Sequence, residues 1–112
     1  MLFRSSGQPG VGVLVPSDAF TYFRSATIVA LAAKNRLPAI YAFRRFADEG
    51  GLAAYGVDAF EQMRATASYV DRILKGAKPG DLPVQMPTKY SLMINMKTAK
   101  ALGLNKIGRA HV

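Results

Sequence analysis

Short apolar runs alternate with stretches of helical period along this chain. Val11–Val15 (VGVLV) is continuous, apolar and valine-rich and ends at Pro16-Ser17-Asp18, which predicts a buried strand opening into a loop. From Thr21 to Lys34, Ile28, Leu31 and Ala32 recur at helical spacing among many alanines, so a helix is expected there, ended by Asn35-Arg36. Leu37–Phe43 (LPAIYAF) reads as a second strand, with Pro38 tolerable only at its start. Arg44–Glu49 fits a helical turn stopped by Gly50-Gly51, and Leu52–Tyr55 a third short strand that Gly56 breaks.

A longer helix is expected from Asp58 to Lys75. Phe60, Met63, Ala67, Val70 and Leu74 line one face, and Asp58 with Glu61 has the spacing of a capping box. Lys75 suits the carboxyl end, Gly76 the left-handed cap, and Pro79 prevents continuation. Pro79–Pro87 reads as an extended connection, Ser91–Asn95 as a fourth strand, and Lys97–Leu102 as a short helix capped by Gly103. Strands alternating with helices in this way imply an α/β fold, a mostly parallel sheet flanked by helices.

Ligands of open α/β sheets sit beyond the carboxyl ends of the strands. Those ends carry Ser17 and Asp18 after the first strand, Tyr41 and Phe43 after the second, and Tyr55 after the third, which makes these the candidate ligand-binding residues. Four of the five have a plainer role. Ser17 and Asp18 are ordinary helix caps, and Tyr41 and Phe43 are ordinary core aromatics. Catalytic residues are not expected: no nucleophile elbow, phosphate-cradling loop or metal-ligand cluster stands in the sequence. Asp71 and Lys75 have the spacing of a surface ion pair.

Composition narrows the picture only a little. A chain of 112 residues is at most one domain, and its zero cysteines exclude disulfides and thiolate metal sites. No apolar run reaches the roughly 20 residues of a membrane helix, and MLFRSSGQPG has no signal-peptide core, so no export signal is expected here. The net charge of +8 raises the alternative of a free-standing basic α/β domain that binds nucleic acid. The cations are scattered, however, with only Arg44 and Arg45 adjacent, which favours a solvated surface and no nucleic-acid partner.

Three stretches carry a family resemblance. IVALAAKNRLPAIYAFRRF (Ile28–Phe46), GGLAAYGVD (Gly50–Asp58) and YVDRILKGAKPGDLPVQMPTKYSLMINMKTAKALGL (Tyr69–Leu104) closely resemble segments of a family of ABC transporter substrate-binding proteins, of the type I-like periplasmic-binding-protein kind. The similarity covers nearly everything from Gly12 to Leu104. It implies one lobe of a two-lobe receptor, periplasmic or extracytoplasmic, that closes on a small-molecule ligand such as an amino acid or other small organic solute. Delivery to a membrane permease is implied with it, without cofactor or covalent chemistry.

On that comparison residues 1–10 are a truncated lead-in and 11–104 the second lobe. Residues 79–87 become the interlobe connection, with Leu82, Pro83 and Val84 as hinge candidates. Ala54 stands where the family usually has serine, which removes a hydroxyl beside Tyr55. The tail 105–112 departs from the family pattern. Its IGRAHV (Ile107–Val112) matches one translated frame of a common sequencing adapter, so it is expected to be non-native. Without Arg109 the charge falls from +8 to +7. The lobe alone is expected to be poorly stable, because its missing neighbours leave apolar surface open.

Overall fold

The structure, a computed structural model, describes residues 8–104. Most of the expected lead-in and the whole expected tail, IGRAHV included, lie outside the described residues. The chain divides into two compact units. One comprises the residues up to Gly56 together with those from Leu92; the other is Val57–Ser91.

The first unit is built on parallel strands. β1 (Val13–Val15) pairs with β2 (Ala39–Tyr41), and β2 with β3 (Ala53–Val57); the sheet order is β1-β2-β3-β4, with β4 at Tyr90–Ile94. The register sets Val15 beside Tyr41 and Tyr41 beside Ala54, so these three share a face. That face is buried, and Val15, Val29, Ala39, Tyr41 and Phe46 form the core. Val29 comes from α2 (Ser25–Lys34) and Phe46 from α3 (Arg44–Asp48). On the other pleat Leu14, Ile40 and Tyr55 remain exposed.

The expected helix from Thr21 to Lys34 is two helices. α1 (Ala19–Phe23) ends at Arg24, whose φ of −109° and ψ of 20° leave the helical region, and α2 restarts at Ser25. Arg24 is a good helix former, so packing rather than propensity makes the break: Ser25 is buried directly after it. α2 ends in a Schellman pattern. Leu37 N–H bonds the Ala32 carbonyl at 2.9 Å and Arg36 N–H the Ala33 carbonyl at 3.1 Å, with Arg36 at φ 50°, a conformation usually left to glycine.

Gly56 does not break β3; the strand runs through it to Val57. Its missing side chain answers a different need. A Cβ there would lie 2.1 Å from the Ala42 carbonyl oxygen, so only glycine allows the loop after β2 to come this close.

α5 (Met96–Ala101) is fixed by Asn95. Its side-chain oxygen accepts from Thr98 N–H at 3.1 Å, its amide donates to the Ala47 carbonyl at 3.0 Å, and its backbone N–H reaches Leu52 O at 2.8 Å. One side chain thereby caps a helix and ties it to α3.

The second unit is α4 (Ala59–Leu74) and the extended return that follows it. Asp58 caps α4, accepting from Phe60 and Glu61 N–H at 3.0 and 3.2 Å. The expected capping box is only half made. Asp58 N–H bonds the Lys89 carbonyl at 3.1 Å, and the Glu61 carboxylate pairs with Lys89 Nζ at 3.3 Å. Gly76 takes the expected left-handed cap at φ 107°, and a 3-10 turn follows at Pro79–Asp81. The Tyr69 hydroxyl donates to the Pro83 carbonyl and holds the return along the helix.

Candidate functional site

The loop after β1 and the loop after β2 bring together the groups best suited to a ligand. Asp18 ends the first loop and caps α1, its Oδ1 accepting from Phe20 N–H at 2.8 Å and Thr21 N–H at 3.3 Å. Capping occupies one carboxylate oxygen; Oδ2 has no hydrogen-bond partner among the described residues. The Thr21 hydroxyl donates back to the Asp18 carbonyl at 2.9 Å and tightens the turn. Asp18 therefore serves as a cap and still presents an acceptor.

α1 is a single short helix, and it carries aromatic residues to this end of the sheet. Tyr22 meets Phe43, from the loop after β2, edge to face at 5.1 Å between ring centroids and 78° between planes. Phe23 adds a second edge contact to Tyr22 at 5.8 Å. The Arg45 guanidinium lies 5.0 Å from the centre of the Tyr22 ring and bonds the Glu49 carboxylate at 2.8 Å. That hydrogen bond is the main reason the Glu49 carboxyl is held below the usual carboxylate range and the Arg45 guanidinium above its own. Sequence reasoning missed Tyr22 and Arg45. The signal was the Phe20, Tyr22, Phe23 spacing just after a capping aspartate, which a continuous helix from Thr21 hides.

The expected site residues divide. Ser17 and Asp18 are exposed in the first loop, and Phe43 is half-buried against Tyr22. Tyr41 is corrected to a core residue: it is 1% exposed and stacks on Phe46, so it has no surface to offer a ligand. Its burial also pushes the phenol pKa up. Tyr55 is exposed on β3, while Ala54 faces the core, so the absent serine hydroxyl would have pointed inward. Leu82, Pro83 and Val84 sit well inside the second unit and not at its boundary. Among the described residues no cluster of metal-binding side chains occurs, and no helix is long and apolar enough to cross a membrane.

The family model described as ABC transporter substrate binding protein matches residues 6–108. The chain belongs to this family. A tyrosine-binding protein of Clostridioides difficile (strain R20291) is 27% identical over 99 residues, which is 88% of this chain and 28% of that protein. Among solved structures, an ABC domain in complex with L-Trp from Streptococcus pneumonia superposes with a TM-score of 0.78 at 28% identity, over 91% of this chain and 34% of that one. A conserved domain protein from Vibrio cholerae gives 0.79 at 26%, covering 90% of this chain and 34% of its own. A ligand-free, open substrate-binding protein with adhesive properties from Clostridium difficile gives 0.66 at 25%, covering 95% and 36%. The chain thus spans about a third of the length of the relatives it matches. The family and the four-stranded, mostly parallel α/β fold agree with the sequence-based expectation.

Proposed function

We propose that this chain is part of an extracytoplasmic solute receptor that captures an aromatic amino acid between two lobes and presents it to an ABC permease. The observation that carries the reading is the Tyr22–Phe43 ring pair, set beside the half-used Asp18 carboxylate at the strand ends. An amino acid needs an acceptor for its ammonium group, which Asp18 Oδ2 supplies, and apolar walls for its ring, which Tyr22 and Phe43 supply. Ser17, exposed next to Asp18 in the same loop, adds a polar group. The carboxylate of the ligand falls to groups of the other lobe.

Two relatives support the ligand class: one is described as tyrosine-binding and one was solved with L-Trp. The mechanism is capture and delivery without covalent chemistry, so no catalytic residue is assigned. Leu82, Pro83 and Val84, in the proline-rich return after α4, are the hinge candidates that the family resemblance implies. The nucleic-acid alternative is not favoured. Arg44, Arg45, Arg64, Lys75 and Lys89 are each paired with a carboxylate on their own surface, which disperses the positive charge.

The test is thermal unfolding of the full-length receptor against a panel of free L-amino acids. Tyrosine, tryptophan or phenylalanine should raise Tm, by mass action on the folded state, where lysine and aspartate do not. A rise confined to aliphatic or charged solutes would contradict the ligand class.

A further inference from the structure

α3 carries two ion pairs of the same spacing. Arg44 Nε lies 3.4 Å from the Asp48 carboxylate, and Arg45 Nε 2.8 Å from that of Glu49. As exposed helix pairs the two are alike, and neither adds much stability. They differ in what the guanidinium reaches. Arg45 sits 5.0 Å from the centre of the Tyr22 ring, whereas Arg44 lies over no ring among the described residues. Glu49 accepts from Arg45 Nε–H and thereby restrains the guanidinium from its own helix.

Tyr22 needs support from outside its helix. α1 is five residues long and buries none of them, so it does little by itself to fix a ring. α3 is anchored in the core by Phe46, which is 1% exposed and stacked on Tyr41. Arg45 directly precedes Phe46, so its guanidinium is carried on a firmly placed backbone. The attraction between this cation and the aromatic ring joins the anchored helix to the unanchored one. Phe43 meets the same ring in edge contact.

We propose that Arg45, restrained by Glu49, is a positioning residue that holds the Tyr22 ring in the orientation that receives an aromatic ligand. It acts through Tyr22 and does not touch the ligand. The inference rests on the receptor reading above, in which Tyr22 walls the ligand. Without the guanidinium the ring samples more rotamers, and binding must restrict them, which lowers affinity. An exposed cation–π contact sets the size of the effect at about two- to fivefold in affinity.

A double-mutant cycle in the full-length receptor tests this, read by calorimetric titration with L-tyrosine and L-tryptophan. Arg45→Gln should weaken binding about two- to fivefold, and Arg45→Lys, which keeps a cation, should weaken it less. Arg44→Gln removes the neighbouring ion pair and should leave affinity unchanged. In a receptor already weakened by Tyr22→Leu, Arg45→Gln should have no further effect. Unchanged affinity in Arg45→Gln overturns the proposal. So does an equal loss in both Tyr22 backgrounds, which makes Arg45 act by another route. An equal loss in Arg44→Gln overturns it too, because the charge of α3 and not the ring contact would then matter. Where Tyr22→Leu binds too weakly to titrate, the contrast between Arg45→Gln and Arg44→Gln decides alone. Urea midpoints are measured on the same unliganded variants, and a loss of affinity that follows loss of folded protein overturns the positioning role. A wild-type receptor that binds neither amino acid removes the ligand reading and this inference with it. Wild-type binding with an additive cycle removes this inference alone.

Discussion

The Tyr41 ring lies face to face on Phe46, with centroids 4.7 Å apart and planes 12° from parallel. This contact joins the second strand to the helix that follows it, and both rings are essentially buried. It defines the centre of the first unit and decides what Tyr41 is for. Phe46→Ala should cost about 3–5 kcal/mol, the range for deleting a buried aromatic ring, read from urea unfolding. Tyr41→Phe in the full-length receptor should leave ligand affinity unchanged. A tenfold loss of affinity would return Tyr41 to the ligand site.

Burial raises the Tyr41 phenol pKa, so folding holds the neutral form. The sign follows from linkage. Stability is fully present below the ordinary tyrosine value and is lost as pH rises through the raised folded value. Tyrosinate absorbance should therefore show a phase above pH ~10 that coincides with loss of structure, and this phase should be absent in Tyr41→Phe.

Asp18 separates capping from binding. Asp18→Asn keeps an acceptor for the amides of Phe20 and Thr21, so stability should change by less than about 0.5 kcal/mol. The lost charge should weaken aromatic amino-acid binding by about tenfold or more, the value of a charge-assisted hydrogen bond. Asp18→Ala should weaken binding and also cost about 1 kcal/mol of stability. Chemical denaturation and calorimetry on the same two variants resolve the roles.

Two backbone positions give opposite outcomes. Gly56→Ala pushes a Cβ onto the Ala42 carbonyl oxygen and should destabilise by about 1–3 kcal/mol. Arg36→Gly relieves a left-handed non-glycine residue at the end of α2 and should raise stability by about 0.5–1 kcal/mol. The guanidinium contact it removes, 3.5 Å to the Ala101 carbonyl, is at the long limit of a hydrogen bond. Midpoint shifts of opposite sign in denaturant, the larger one at Gly56, are the readout.

Acid should loosen the α3 end. The Glu49 carboxyl, held low chiefly by Arg45, contributes stability above the ordinary carboxylate range that is lost as pH falls through its depressed value. Glu49→Gln should flatten that limb of the stability profile between about pH 5 and pH 3, monitored by circular dichroism.

What the sequence disclosed depended on how local each signal was. α4 was legible end to end because its period, its Asp58 cap and its Gly76 stop all lie within the helix or at most two residues beyond. The parallel sheet followed from strands alternating with helices. The break at Arg24 was hidden, because nothing in a good helix former announces that its neighbour Ser25 will be buried. Gly56 was misread as a strand breaker, since the nearby Ala42 carbonyl comes from another loop. Asp18 and Phe43 were visible as residues at strand ends, but the Tyr22 ring that links them required the folded backbone. The hinge expectation at Leu82–Val84 came from the family resemblance, and local pattern added only the prolines, which keep this stretch extended along α4.

The most direct measurement is calorimetric titration of the full-length receptor with L-tyrosine and L-tryptophan. The account predicts saturable binding of at least one of them at one site per monomer, little affected by salt. No binding of either, together with affinity for DNA that falls steeply with salt, would contradict it.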